Sequence, residues 1–136
     1  MKTLHRTLAV ALLLASGLSV CAAPTLVGHP GLKGQAFDNE AIKAVLLGKR
    51  ITIANSRVII VIVKSSDDQE AFLASHVSMS TSQFQNYWRR LFMTGGGSAP
   101  KVVESEEDAR KLVAVTPGAV AIINSATTGE LIVLAN

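Results

Sequence analysis

The sequence predicts a single α/β lobe, a mostly buried central β-sheet flanked by about four helices, and three observations predict it. Val58 to Val63 is an unbroken β-branched run, which suits a strand buried on both faces and covered by helices. Asp38, Ser66, Ser80 and Ser105 each stand just before a segment with helical apolar spacing, giving four helix starts. Strand-like and helix-like segments alternate along the chain, as layered α/β domains require. The composition agrees: 49% of residues are hydrophobic but only 4% aromatic, so the core is aliphatic.

The first 22 residues read as a secretory leader that precedes a domain of residues 23–136. Lys2 and Arg6 supply a positive start, Leu8 to Val20 an apolar stretch, and Ala22 a small residue before the cut. The stretch is too short and wrongly flanked for a stable membrane span. A second reading lipidates Cys21 after Leu18-Ser19-Val20, although Val20 is bulky where a small residue is wanted. Either way the domain is expected outside the cytoplasm, periplasmic or secreted. Lys2 and Arg6 leave with the leader, so 13 basic residues become 11 against 10 acidic ones, a balance of +1. That argues against nucleic acid, which requires a basic face. Cleavage after Ala22 also removes the one Cys, so packing alone holds the domain.

The elements follow in order. Leu26-Val27 marks a short first strand, followed by a loop through Pro30, Gly31 and Gly34. Asp38 caps a helix over about 39–47, with Ile42, Val45 and Leu46 inward and Gly48 as its stop. The 58–63 strand comes next. Ser66 to Gln69 has the form of a capping box and opens a helix to Val77, with Phe72, Leu73 and Val77 inward. Ser80 to Gln83 is a second capping box, flanked by Met79 and Phe84 as a hydrophobic staple. Its helix runs to about Phe92 with Phe84, Trp88, Leu91 and Phe92 on one stripe, and Gly95-Gly96-Gly97 ends it. Val102-Val103 is a short strand. Ser105 caps a fourth helix with Ala109, Leu112 and Val113 inward, supported by the pairs Glu106/Arg110 and Glu107/Lys111. Pro117-Gly118 ends it, Ala119 to Ile123 is a strand, and a turn at Thr128-Gly129 leads to a last strand, Leu131 to Leu134.

Chemistry is sparse. His29 and His76 are far apart and no Cys joins them, so no metal set and no cofactor is expected. Gly48-Lys49-Arg50 follows its helix, whereas a phosphate loop precedes one; it reads as a C-cap with cations at the negative end of the helix. Trp88-Arg89-Arg90 reads as a core indole with two outward cations rather than a nucleic-acid patch. Ser98 lacks a nucleophile-elbow context and a partner His. No nucleophile, acid–base pair or metal set marks an enzyme.

The ordered features resemble the phosphate-type solute-binding proteins of bacterial ABC transporters, specifically a short, single-lobe relative. Ala44-Val45-Leu46-Leu47-Gly48-Lys49 is similar to the family's helix-ending Phe-x-Gly-Lys, and Val58 to Val63 to its next strand. Gln83 to Trp88 with Phe92, and Thr116-Pro117-Gly118-Ala119-Val120, resemble later family patterns. The resemblance implies one domain of a type 2 periplasmic-binding-protein fold, and a small anion such as phosphate held by the loop after the strand. Lined up on Phe72, Lys64 takes the place of the family's loop Arg. Asp67 replaces a Gly, and Asp68, Gln69 and Glu70 replace Ser-Gly-Thr. The family's Trp after Gly-Lys is missing from Ile51 to Arg57. Three carboxylates in a helix's first turn stabilise that helix and repel phosphate. Lys64, Ser65 and Ser66 are the remaining candidate anion contacts, with Ser66 also a plain N-cap. Two functions follow. One is an exported, non-catalytic anion-binding module with a degenerate site. The other is an interaction module that has lost its small ligand and contacts an envelope protein or a second copy.

Overall fold

The computed structural model describes residues 23–95 and 99–135. The predicted leader, Cys21 and the Gly96-Gly97-Ser98 part of the glycine stretch lie outside the described residues. Five strands form one sheet: β1 (Pro24–Gly28), β4 (Ile59–Val63), β5 (Lys101–Val103), β6 (Ala119–Asn124) and β7 (Ile132–Ala135). Two short strands, β2 (Thr52–Ile53) and β3 (Ser56–Arg57), form a separate hairpin. The helices are α1 (Asn39–Leu46), α2 (Asp67–Val77), α3 (Thr81–Met93) and α4 (Glu106–Val115). No described helix is long and apolar enough to cross a membrane.

The sheet order is β5-β4-β6-β1-β7. β4 pairs in parallel with β5 and β6, while β1 pairs antiparallel with β6 and β7. The β4-to-β5 crossover, through α2 and α3, and the β5-to-β6 crossover, through α4, run in opposite directions across the sheet. A common crossover handedness therefore places their helices on opposite faces. The two-residue alternation of the strands sorts the core to match. Leu26, Ile60, Ile62, Val120 and Ile122 pack with α1, α2 and α3. Val27, Val61, Val63, Ala121 and Ile123 pack with Ala109 and Val113 of α4.

The caps form as the sequence predicts. Asp38, Ser66, Ser80 and Ser105 each accept an N–H from the residue three positions on. The Ser80–Gln83 box closes in both directions. The Ser66 box does not. Ser66 accepts from the Gln69 N–H, but the Gln69 side chain turns inward to the end of β4, where it pairs with both the N–H and the carbonyl of Val63. Three further expectations change. The β2–β3 hairpin, turned at Ala54 and Asn55 with positive φ, stands where no element was expected. Phe92, read as inward, is 55% exposed, because it lies past the Phe84–Trp88–Leu91 stripe and nothing among the described residues covers that side. Glu106 does not pair along its helix with Arg110; only Glu107 and Lys111 do so, at 3.2 Å.

Candidate functional site

Parallel strands β4, β5 and β6 point their carboxyl ends the same way, and such ends are where open α/β sheets collect ligands. Lys64, Ser65 and Ser66 leave the end of β4, and Glu104 and Ser105 leave the end of its neighbour β5. The two loops touch through the backbone, with the Lys64 N–H donating to the Val103 carbonyl at 2.8 Å. Helices α2 and α4 therefore start side by side.

The three predicted contacts separate. Lys64 is exposed, with Nζ 3.7 Å from Glu104 Oε1, a surface pair of little energy. Ser65 is exposed. Ser66 is half-buried: its Oγ accepts from the Gln69 N–H at 3.2 Å and donates to Glu106 Oε1 at 2.8 Å. The Asn124 N–H, at the end of β6, lies 3.4 Å from the second oxygen, Oε2. One carboxylate thus sits between the starts of two helices and the end of a central strand. Helix starts favour negative charge, which draws an anion to this position, while burial and the Asp68 carboxyl oppose it.

Glu106 itself is under tension. Burial pushes its pKa above the ordinary carboxylate value, the Ser66 hydrogen bond pulls it back, and the neighbouring Asp68 carboxyl pushes it up again. Of the other acids in the α2 turn, Asp67 is exposed, and Glu70 Oε1 accepts the Thr81 N–H at 3.0 Å, tying α2 to the start of α3. The carboxylates read as anion-repelling thus divide among solvent, Glu106 and a second helix start.

Sequence reasoning missed Glu106 and Gln69. Glu106 was legible as the first residue of the helix after β5. Recognising β4 and β5 as parallel neighbours would have placed it beside Ser66. Gln69 is 1% exposed; Oε1 accepts the Val63 N–H and Nε2 donates to the Val63 carbonyl, both at 2.8 Å, and Nε2 also donates to Thr81 Oγ1 at 3.1 Å. It fixes the last residue of β4 and hence the loop that follows.

The remaining candidates are structural. His76 packs its ring 4.1 Å from that of Phe72, and burial, then nearby Lys43, lowers its pKa. His29 Nδ1 accepts the Gly31 N–H at 2.9 Å and shapes its turn. Among the described residues no cluster of three metal-ligating side chains occurs. Trp88 is buried and Arg89 and Arg90 are exposed, as expected.

No protein-family model matches the sequence, and no curated protein matches it. Solved structures do. A candidate phosphate ABC transporter substrate-binding protein with bound phosphate, from Clostridium perfringens, superposes with a TM-score of 0.63 at 10% identity, over 83% of this chain and 44% of that one. An ABC-type phosphate transport receptor from Vibrio cholerae gives 0.58 at 14% identity, over 83% and 45%. PstS from Borrelia burgdorferi gives 0.60 at 14% identity, over 84% and 47%. The chain spans less than half the length of each. At these identities the likeness is one of fold: the chain has the α/β architecture of about half of a phosphate ABC transporter substrate-binding protein.

Proposed function

We propose that residues 23–136 form an exported, periplasmic, non-catalytic lobe of solute-binding type, and that its own Glu106 carboxylate occupies its small-anion seat. One observation carries the reading: Glu106 bridges the Ser66 hydroxyl and the Asn124 N–H where α2 and α4 begin. A tethered group competes at an effective concentration on the order of millimolar or more, so free phosphate binds weakly while Glu106 stays in place. The fold shared with a phosphate-bound protein supports the choice of anion. Lys64, Ser65 and Ser66 are the groups such an anion meets once Glu106 withdraws.

Calorimetric titration with phosphate tests this. Wild-type protein is expected to bind weakly, and the Glu106→Gln, Asp68→Ser variant at least about tenfold more tightly, because a competing anion and its neighbour are gone. No gain in the variant sinks the occupied seat. A second reading, self-association, is favoured by one feature: Phe92 and Val102, each 55% exposed, line one shallow cavity beside edge strand β5.

A further inference from the structure

The far end of the sheet carries a second, differently built cavity. It opens at the beginnings of β4 and β5, the opposite end of these parallel strands from Ser66 and Glu106, and measures about 200 Å³. Its walls are apolar: Val45, Ile51, Val58, Ile60 and Trp88. Its rim carries Arg50, Arg57 and Lys101, all exposed, and among the described residues no carboxylate lines it.

The walls are held in place before any ligand arrives. Trp88 Nε1 donates to the Leu46 carbonyl at 3.0 Å and Tyr87 Oη to the Leu47 carbonyl at 2.6 Å, so α3 caps the end of α1. Gly48, at φ +77°, lets the indole lie against the backbone; a Cβ there would come within 2.8 Å of the ring. The rim is ordered too. Hairpin β2–β3 pairs Thr52 with Arg57, and Arg50 Nε donates to the Thr52 carbonyl at 3.3 Å, so the hairpin folds back and brings the two arginines on either side of it to one mouth. The Arg50 guanidinium also stacks over Phe37, 5.3 Å from the ring centre. Among the described residues neither arginine nor Lys101 forms an ion pair.

Apolar walls beneath a cationic rim match one ligand chemistry: an apolar body ending in one negative group. A dry cavity of roughly 150 Å³ accepts a benzene ring, so about 200 Å³ suits a short-to-medium aliphatic or single-ring chain. Inorganic phosphate has no apolar body, and a cation meets like charge. We propose that this cavity binds a small amphipathic monocarboxylate, tail against Trp88 and carboxylate at Arg57 and Lys101. The proposal is independent of the anion seat at Ser66.

Trp88 is the one tryptophan of the chain and lines this cavity as well as the one at Phe92 and Val102, so its fluorescence reads binding and the Arg57 and Lys101 variant below assigns it to this site. Purified protein is titrated with octanoate, octanol, octylammonium and inorganic phosphate. Octanoate is expected to give a saturable change. Octanol should bind at least about tenfold more weakly, and octylammonium and phosphate should leave the emission unchanged. Shortening the acid should weaken binding roughly fourfold per methylene removed, the share of a buried CH₂. Arg57→Gln with Lys101→Gln changes two exposed side chains and should weaken octanoate about tenfold while leaving octanol unchanged. The proposal is overturned if octanoate gives no saturable change, if octanol binds as well as octanoate, or if the double variant binds octanoate like wild type.

Discussion

Gln69 and Glu106 are polar side chains that the fold turns inward, and each makes a prediction at the residue scale. Gln69 satisfies both backbone groups of Val63, so Gln69→Leu leaves a buried N–H and carbonyl unpaired at the end of a central strand. Urea unfolding of that variant should show a loss of about 3 kcal/mol, more than its added apolar bulk returns. Glu106 acts in the opposite sense. Its folded-state pKa is raised above the ordinary carboxylate value of 4.5, so the folded protein holds this proton more tightly than the unfolded chain. The stability it contributes is present below the ordinary value and is lost as pH rises through the raised one. Glu106→Gln keeps an oxygen for Ser66 and removes the charge beside Asp68. Thermal unfolding should therefore find the variant stabilised at pH 7 relative to wild type, with the difference vanishing near pH 4. A constant difference across that range would show that Glu106 acts through packing rather than charge.

The junction of α4 and β6 shows how an element boundary depends on a distant neighbour. Pro117-Gly118 reads as a helix stop, and α4 does end at Val115. Gly118 does more than stop it. Its φ is +79°, and a Cβ would collide with the Arg57 carbonyl oxygen at the end of hairpin β2–β3. The Gly118 carbonyl accepts the Ile59 N–H at 3.1 Å, which starts the parallel pairing of β4 with β6. Gly118→Ala should therefore cost above about 2 kcal/mol in a thermal or urea unfolding experiment, combining backbone strain with a contact that neither strand can yield. A loss of only a few tenths would mean that the hairpin can move aside.

At the scale of the whole molecule, two helix layers cover a five-stranded sheet and leave two features open at its β5 side. Phe92 and Met93, 55% and 78% exposed, close α3 beside edge strand β5, where Val102 is also exposed. Exposed apolar groups beside an unpaired strand edge are the usual ingredients of association. Sedimentation equilibrium should find a concentration-dependent dimer that Phe92→Ser with Val102→Lys converts to monomer. A wild-type monomer at all concentrations would remove the self-association reading and leave the anion-seat reading unaffected.

The local order of this chain was set by its sequence alone. Helix starts at Asp38, Ser66, Ser80 and Ser105, the buried strand near Val58 to Val63, and the inward faces of the helices follow from cap chemistry and apolar period, which act over a few residues. The leader was likewise read from local pattern, and it lies outside the described structure. Tertiary structure decided where the polar side chains go. Ser66 and Glu106 stand 40 residues apart and meet because β4 and β5 became parallel neighbours. Gln69 left its capping box because the end of β4 needed its amide, and Arg50 met Arg57 through a hairpin too short to show in the pattern. Phe92 stayed outside because no layer of the described residues covers that side of α3. Apolar burial is written in periodicity, since any core of the right shape satisfies it. A polar side chain instead needs one particular partner, and only strand order brings that partner within reach.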